Sequence, residues 1–227
     1  MNKHQFAILI PTYNHGGQVV NVVTEALKLN YPVIVVDDGS TDDTYEKLKH
    51  INTIHLIRHS LNQGKGAAFT TGFAKAVEFA DWVITIDSDG QHSVEDVVRL
   101  VQSIPENKRP IMIGMRVMPS HVPWTSRFGR KFSNFWVWVS GGPKLSDSQS
   151  GFRIYPIPEA IHLEVQAKRY QFEVEVLVKA NRQHIPVIEI PVRVNYPEQR
   201  ISHFRPLMDF IRNSQTFYDL IIQRMFR

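Results

Sequence analysis

The stretch Trp82-Val83-Ile84-Thr85-Ile86-Asp87-Ser88-Asp89-Gly90-Gln91 decides the fold, because an apolar run ends there in two carboxylates and a glycine. A short run rich in β-branched residues and closed by turn-forming residues predicts a buried strand. The same pattern occurs at 33–39, where four apolar residues precede Asp37, Asp38 and a glycine. Helical spacing follows each run. This alternation favours a mostly parallel sheet with helices between its strands.

The rest of the chain continues this alternation in both directions. Further strands are predicted at 6–10, 54–57, 111–115, 152–155 and 187–194. Helices are predicted at 19–29, 40–50, 64–79, from 93 onward, 124–138, 171–182 and 207–226. Ser40 with Asp43, and Ser93 with Asp96, have the spacing of helix-capping pairs. We therefore predict an α/β fold with a central sheet flanked by helices, as a catalytic domain at 1–205 followed by a C-terminal amphipathic helix at 206–227.

The composition excludes several classes of protein. The 227 residues carry a formal net charge of +4, with 43% hydrophobic and 21% charged residues, which is typical of one globular domain with or without a small annex. Cys is absent, so disulfide frameworks, thiolate zinc sites and cysteine nucleophiles are excluded. No apolar run approaches the ~18 residues of a membrane span, and the first residues lack a signal-peptide cleavage pattern. We expect a cytoplasmic protein whose mild basicity suits phosphates or anionic lipids, without nucleic acid as a partner.

Carboxylates at two strand ends are the first candidates for chemistry, since ligands of parallel sheets gather at the carboxyl ends of the strands. Asp87 and Asp89, two residues apart, can converge on a hard cation such as Mg²⁺ or Mn²⁺. They can equally cap a local turn. Asp37 and Asp38 can accept hydrogen bonds from a nucleobase or ribose, or can belong to a helix-capping turn.

Three further segments admit a functional and a structural interpretation. Asn-Gln-Gly-Lys-Gly at 62–66 precedes a helix and can hold a phosphate there, or its glycines can allow close packing. A basic cluster interleaved with Phe and Trp consists of Arg116, Arg127, Arg130 and Lys131. This basic cluster can bind a phosphate carried on a lipid. Alternatively, it is the polar side of an ordinary amphipathic helix whose aromatic residues pack in the core. Asp147 precedes a glycine turn at 148–151, where a lone carboxylate is commonly structural.

Taken together and in order, these motifs resemble the family-2 glycosyltransferases of the GT-A fold. The matching segments are 11–14 (Pro-Thr-Tyr-Asn), 36–40, 62–66, 87–92 and 147–153. The similarity is greatest to the branch of dolichol-phosphate mannosyltransferases and polyprenyl-phosphate glycosyltransferases. It implies inverting, metal-dependent transfer of a sugar from a GDP- or UDP-sugar to a lipid phosphate. Two alternatives remain open. The enzyme transfers the sugar to a hydroxyl with Asp147 as base, or the protein is a non-catalytic, membrane-associated protein that binds a sugar nucleotide.

The resemblance also assigns residues to roles. The residues expected to bind the donor are Pro11, Tyr13, Asp37, Asp38 and Asp87. The residues expected to bind the metal, Mg²⁺ or Mn²⁺, are Asp87, Asp89 and Gln91. The catalytic residues are Asp147 and Asp89. The acceptor residues are Arg116, Arg127, Arg130, Arg200 and Ser202. The chain departs from the family pattern at His15, where Glu is usual, and at 200–203, where Gly-x-Ser-Lys is usual.

A nicotinamide-dependent dehydrogenase is disfavoured because no Gly-x-Gly-x-x-Gly follows the first strand.

The helix predicted at 207–226 admits two placements. Its broad apolar stripe consists of Phe210, Phe217, Tyr218, Ile221 and Met225, and charged residues interrupt it too often for a membrane span. The stripe either packs on the catalytic domain or, with the helix at 124–138, lies among the headgroups of an anionic leaflet. The second placement predicts salt-sensitive vesicle binding that is lost on removal of 206–227.

Overall fold

A central sheet organises the molecule in a computed structural model, which describes residues 5–91, 93–117, 124–193 and 206–225. Its strands are β1 (Phe6–Thr12), β2 (Val33–Asp37), β3 (Ile54–Arg58), β4 (Trp82–Thr85), β5 (Ile111–Arg116), β6 (Arg153–Pro156) and β7 (Val187–Val192). Within the described residues these form one seven-stranded sheet in the order β3-β2-β1-β4-β6-β5-β7. The α/β class and the mostly parallel sheet are confirmed.

Helices cover both faces of this sheet. They are α1 (Val19–Leu27), α2 (Thr44–Leu48), α3 (Lys65–Ala76), α4 (Val94–Gln102), α5 (Trp124–Val139), α6 (Glu159–His162), α7 (Phe172–Arg182) and α8 (Pro206–Met225). The sequence did not predict the four-residue α6. Ser93 caps α4 as predicted, since its Oγ accepts from the backbone N–H of Asp96 at 3.2 Å. The capping pair of Ser40 and Asp43 is wrong, because Ser40 Oγ accepts instead from the N–H of Asn14 at 2.9 Å.

One strand runs against the others. β6 pairs antiparallel with β4 and with β5, whereas the remaining pairs are parallel. Arg153, the first residue of β6, therefore lies opposite Thr85 on one side and Ile113 on the other. The segment 147–151, which leads into β6, consequently lies at the edge of the sheet where β4 and β5 end.

Both faces of the sheet are buried, which explains the continuous apolar runs. Along β1, Ala7 and Leu9 belong to the core beneath α3, α5 and α7. Ile8 and Ile10, on the opposite face, pack with the apolar residues of α1 and α4. A strand that alternates between two apolar cores carries no polar stripe.

Helix α8 packs on the domain over the part whose side chains are described. Phe217 and Leu220 are 3% and 2% exposed and join the core beneath α3, α5 and α7. The ring centroids of Phe217 and Trp136 of α5 are 6.2 Å apart. Among the described residues, no helix is both long and apolar enough to cross a membrane. The division at 205/206 stays a prediction, and residues 194–205 lie outside the described ranges.

Candidate active site

Asp38 ties together the ends of two strands and the start of a helix. Its Oδ1 lies 2.7 Å from His59 Nδ1 and accepts from the N–H of Gln63 at 2.9 Å. Its Oδ2 accepts from the N–H of Gly64 at 2.7 Å. Asp38 is 3% exposed, so this predicted donor residue also holds the turn after β3 and the start of α3 in place.

The other predicted donor residues lie on the same edge of the sheet. Thr12, at the end of β1, pairs with Asp37 at the end of β2, so Pro11 and Tyr13 flank the Asp37 strand end. Asp37 is fully buried, and its Oδ1 accepts from the N–H of Ser40 at 3.1 Å. The structure thus brings Pro11, Tyr13, Asp37 and Asp38 together.

The glycines at the start of α3 serve close packing. The amide groups of Gln63 and Gly64 donate to Asp38, and the N–H of Ala67 donates to the carbonyl of Lys168 at 3.0 Å. A Cβ on Gly66 would lie 2.9 Å from the carbonyl carbon of Lys168. These contacts favour the packing interpretation of 62–66 over a phosphate cradle.

Asp87 belongs to a partly buried charge cluster that the sequence did not predict. Its Oδ1 lies 2.7 Å from Lys65 Nζ, which also donates to Glu173 Oε1 at 2.6 Å. Burial alone lowers the pKa of Lys65, but the two carboxylates outweigh it and hold this pKa above its ordinary value. A Cβ on Gly151 would lie 2.7 Å from Asp87 Oδ2, so the Asp87 side chain packs directly against the 147–151 segment.

The turn after β4 offers oxygen ligands for a small divalent cation. Asp89 Oδ1 accepts from the N–H of Gln91 at 3.1 Å. Gln91 is 4% exposed, and its side-chain Nε2 has no hydrogen-bond partner within the described residues. Those residues hold no group of three or more His, Cys, Asp or Glu arranged for a metal. Mg²⁺ commonly takes one or two protein carboxylates and completes its coordination with substrate phosphates, so Asp87 and Asp89 fit such an ion.

Asp147 is buried and paired with an arginine. Its Oδ2 accepts from Nε and the backbone N–H of Arg116 at 2.7 and 3.1 Å, and its Oδ1 accepts from Nη2 at 2.8 Å. Arg130 Nη2 lies 3.5 Å from the same Oδ2. Burial alone raises the pKa of Asp147, but the two arginines outweigh it and hold this pKa below its usual value.

Side chains from three elements fix the 147–151 segment. Glu189 of β7 accepts from the N–H of Asp147 at 2.7 Å, and Asn134 Oδ1 of α5 accepts from the N–H of Ser148 at 2.9 Å. Arg153 is fully buried and donates to the carbonyls of residues 148 and 150 at 2.8 and 2.7 Å. The sequence assigned none of these three a role, and Glu189, inside a strand, carries no sequence signal for one.

The remaining predicted acceptor residues divide into three groups. Arg130 donates through Nη1 to the carbonyl of Arg116 at 2.9 Å, which places it beside Asp147. Arg127 is exposed on α5. Arg200 and Ser202 lie outside the described residues.

Comparison with known proteins identifies the family of this chain. Residues 7–158 match the family described as Glycosyl transferase family 2. The chain is 30% identical over 242 residues to the UDP-N-acetylglucosamine–dolichyl-phosphate N-acetylglucosaminyltransferase of Methanococcus voltae, covering 96% of this chain and 95% of that protein. It is 25% identical over 269 residues to the dolichyl-phosphate beta-glucosyltransferase of Saccharomyces cerevisiae, covering 99% and 77%.

A solved structure supports the fold. The mannosyl-3-phosphoglycerate synthase of Rubrobacter xylanophilus superposes with a TM-score of 0.67 at 16% identity, covering 98% of this chain and 74% of that one. The predicted GT-A fold is confirmed, as is the resemblance to the polyprenyl-phosphate branch. With its family match over 7–158, this chain belongs to glycosyltransferase family 2 and is a glycosyltransferase.

Proposed function

We propose that the protein transfers a sugar from a GDP- or UDP-sugar to a polyprenyl phosphate, with inversion at the anomeric carbon and with Mg²⁺ or Mn²⁺. The names of the two relatives support a lipid phosphate as acceptor. The observation that carries the proposal is the environment of Asp147, the residue predicted as base for a hydroxyl acceptor.

Asp147 is poorly suited to accept a proton. It is fully buried, and Arg116 donates to both of its oxygens. An effective general base has a pKa near the working pH, whereas the arginines hold the pKa of Asp147 below its usual value. A phosphate acceptor is already anionic and needs no base. In this proposal Asp147 positions the arginines.

The arginines beside Asp147 supply cations for such an acceptor. Arg116 and Arg130 keep 20% and 11% of their side chains exposed while they contact the same carboxylate. Guanidinium groups bind phosphate oxygens through charge-assisted hydrogen bonds. The acceptor oxygen then attacks the face of the anomeric carbon opposite the diphosphate, and the bond to the diphosphate oxygen breaks.

The donor lies, in this proposal, between Asp38 and Asp87. Pro11 and Tyr13 would border the nucleoside, and Asp87 with Asp89 would hold the cation. A divalent cation there neutralises the negative charge that develops on the leaving group. Gln91 lies two residues beyond Asp89, and its buried Nε2 has no partner among the described residues. In this proposal that amide group donates a hydrogen bond to the diphosphate.

The test is a transfer assay with matched acceptors. The purified protein is incubated with GDP- and UDP-sugars, Mg²⁺ or Mn²⁺, and either a short-chain polyprenyl phosphate or the corresponding free polyprenol. We expect that nucleoside diphosphate is released with the polyprenyl phosphate and not with the free polyprenol. The Asp89→Asn variant should release none with either acceptor. Release with the free polyprenol would establish a hydroxyl acceptor. Sugar-nucleotide binding without release under any condition would establish a non-catalytic protein.

We also propose that the protein works at the cytoplasmic face of a membrane, through the outer face of α5. Phe128, Phe135 and Trp138 are 60%, 53% and 47% exposed, and Lys131 is exposed between them. Their spacing places all four on one side of the helix. Exposed aromatic rings with interleaved cations suit the headgroup region of an anionic leaflet.

Point variants test this contact better than truncation. Removal of 206–227 would expose the core that Phe217 covers, so loss of binding would be uninformative. Phe135→Ser with Trp138→Ser should weaken salt-sensitive binding to phosphatidylserine vesicles. The matched control is Val77→Ser, since Val77, directly after α3, is 50% exposed. Equal binding by both variants would exclude α5 as the contact.

A further inference from the structure

A trio of charged side chains lies where α3, α7 and the turn after β4 meet. Lys65 Nζ is 2.7 Å from Asp87 Oδ1 and 2.6 Å from Glu173 Oε1. The exposed fractions are 16% for the Lys65 side chain, 28% for Asp87 and 7% for Glu173. Asp87 is thus the open end of the trio, and Glu173 is its buried end.

The formal charges of the trio explain why a second carboxylate is present. A pair of Lys65 and Asp87 would be neutral, so Asp87 would add no net charge to that of Asp89 at the cation site. Glu173 makes the sum −1, and it does so from a buried position where solvent screens the charge least. Glu173 lies on α7, 86 positions beyond Asp87 in the numbering, so the sheet brings the two together only in the folded chain.

The field of these carboxylates extends to the next group in the site. Burial by itself lowers the pKa of Arg116, but Asp147 first, and then Glu173 and Asp87, outweigh it and hold this pKa above its ordinary value. Glu173 therefore acts on charges beyond its direct partner.

We propose that Glu173 is a positioning residue for the cation site: it shares the charge of Lys65, so that Asp87 keeps its negative charge for the divalent cation. Lys65 orients the Asp87 carboxylate against Gly151, and Glu173 prevents Lys65 from neutralising it. The inference rests on the proposed function, since it presupposes a cation at Asp87 and Asp89.

The test measures Mn²⁺ binding directly. Free Mn²⁺ is followed by electron paramagnetic resonance in the presence of saturating GDP or UDP. Glu173→Gln keeps the shape of the side chain and an oxygen that can accept from Lys65, but it removes the charge. We expect Mn²⁺ binding about tenfold weaker than in the wild type, as for the loss of one nearby charge in a partly screened site.

A double variant separates charge from structure. Lys65→Met with Glu173→Gln removes one positive and one negative charge and so returns the sum to −1. We expect its Mn²⁺ affinity to recover to within about threefold of the wild type. The matched control is Glu175→Gln, since Glu175 lies on α7, is 6% exposed and pairs with Lys179. This control should bind Mn²⁺ as the wild type does.

Each outcome decides the matter. If the wild type binds no Mn²⁺ in the presence of either nucleotide, the cation of the proposed function is refuted, and this inference with it. If the wild type binds Mn²⁺ but Glu173→Gln binds equally well, the inference alone is refuted. Should Glu173→Gln fail to fold, the double variant decides, because a loss of more than about threefold there would contradict the charge argument.

Discussion

The strongest quantitative prediction concerns Asp147→Asn. Asn retains the shape of the carboxylate but carries one oxygen, so its NH₂ group must face a donor of Arg116. In the native protein Asp147 accepts three hydrogen bonds from Arg116, at 2.7, 2.8 and 3.1 Å. The substitution therefore breaks a buried ion pair and leaves Arg116 and Arg130 beside a neutral group.

The expected loss of stability follows from the burial. The Asp147 side chain is fully buried and that of Arg116 is 20% exposed, so solvent screens the pair little. Removing one partner of a buried pair typically destabilises a protein by about 3 to 5 kcal/mol. Urea unfolding of the wild type and the variant should show this loss at pH 7. The control is Glu25→Gln, whose exposed pair with Lys28 should contribute less than about 1 kcal/mol.

The pH dependence gives an independent check on the same pair. The folded protein holds the pKa of Asp147 below the ordinary value of 3.8. A carboxyl group with a depressed folded pKa contributes stability above its unfolded pKa and loses it as the pH falls through the folded pKa. The difference in unfolding free energy between wild type and Asp147→Asn should thus be constant near neutral pH and shrink below about pH 4. A loss under about 1 kcal/mol at pH 7, or a difference that does not shrink in acid, would refute the reasoning.

Three further substitutions test the frame of the site. Gly66→Ala places a Cβ 2.8 Å from that of Phe172 and against the 167–168 backbone, and should lower the unfolding free energy by about 1 to 3 kcal/mol. Gly17→Ala, with nothing within 4 Å of its Cβ, is its control in the same urea titration. Ser93→Ala removes the cap of α4 and should lower stability by about 1 kcal/mol, seen as a lower urea midpoint with an unchanged slope. Arg153→Lys loses the forked contacts to residues 148 and 150 and should lower stability by about 2 kcal/mol or more, and an unchanged midpoint would contradict that role.

The local patterns of the sequence were sufficient for the strands and for the grouping of the donor residues. Asp37 and Asp87 end apolar runs, and parallel strands end at one edge of a sheet, so their position at the same edge needed no further information. The capping pair of Ser40 and Asp43 failed because capping rules consider one helix alone. In the fold, the turn after β1 lies beside Ser40, and the N–H of Asn14 donates a hydrogen bond to the Ser40 hydroxyl instead.

Contacts between distant parts of the chain could not be predicted. Lys65 and Glu173 are 108 positions apart, and Asp147 and Glu189 are 42 apart. The contact between Asp147 and Glu189 depends on the antiparallel insertion of β6 between β4 and β5, which brings the 147–151 segment to the shared edge. A single sequence contains no periodicity that specifies this order of strands.

The two charge clusters at this edge have opposite compositions, and this follows from what each must bind in the proposed reaction. Around Asp87, one lysine contacts two carboxylates, whereas around Asp147 two arginines contact one carboxylate. Glu189 adds a carboxylate near the second cluster, but it accepts from the backbone amides of residues 146 and 147. The first cluster therefore favours a cation, and the second favours an anion. In the reaction we propose, a divalent cation with the diphosphate would therefore lie at the first cluster, and the phosphate of the acceptor would lie at the second.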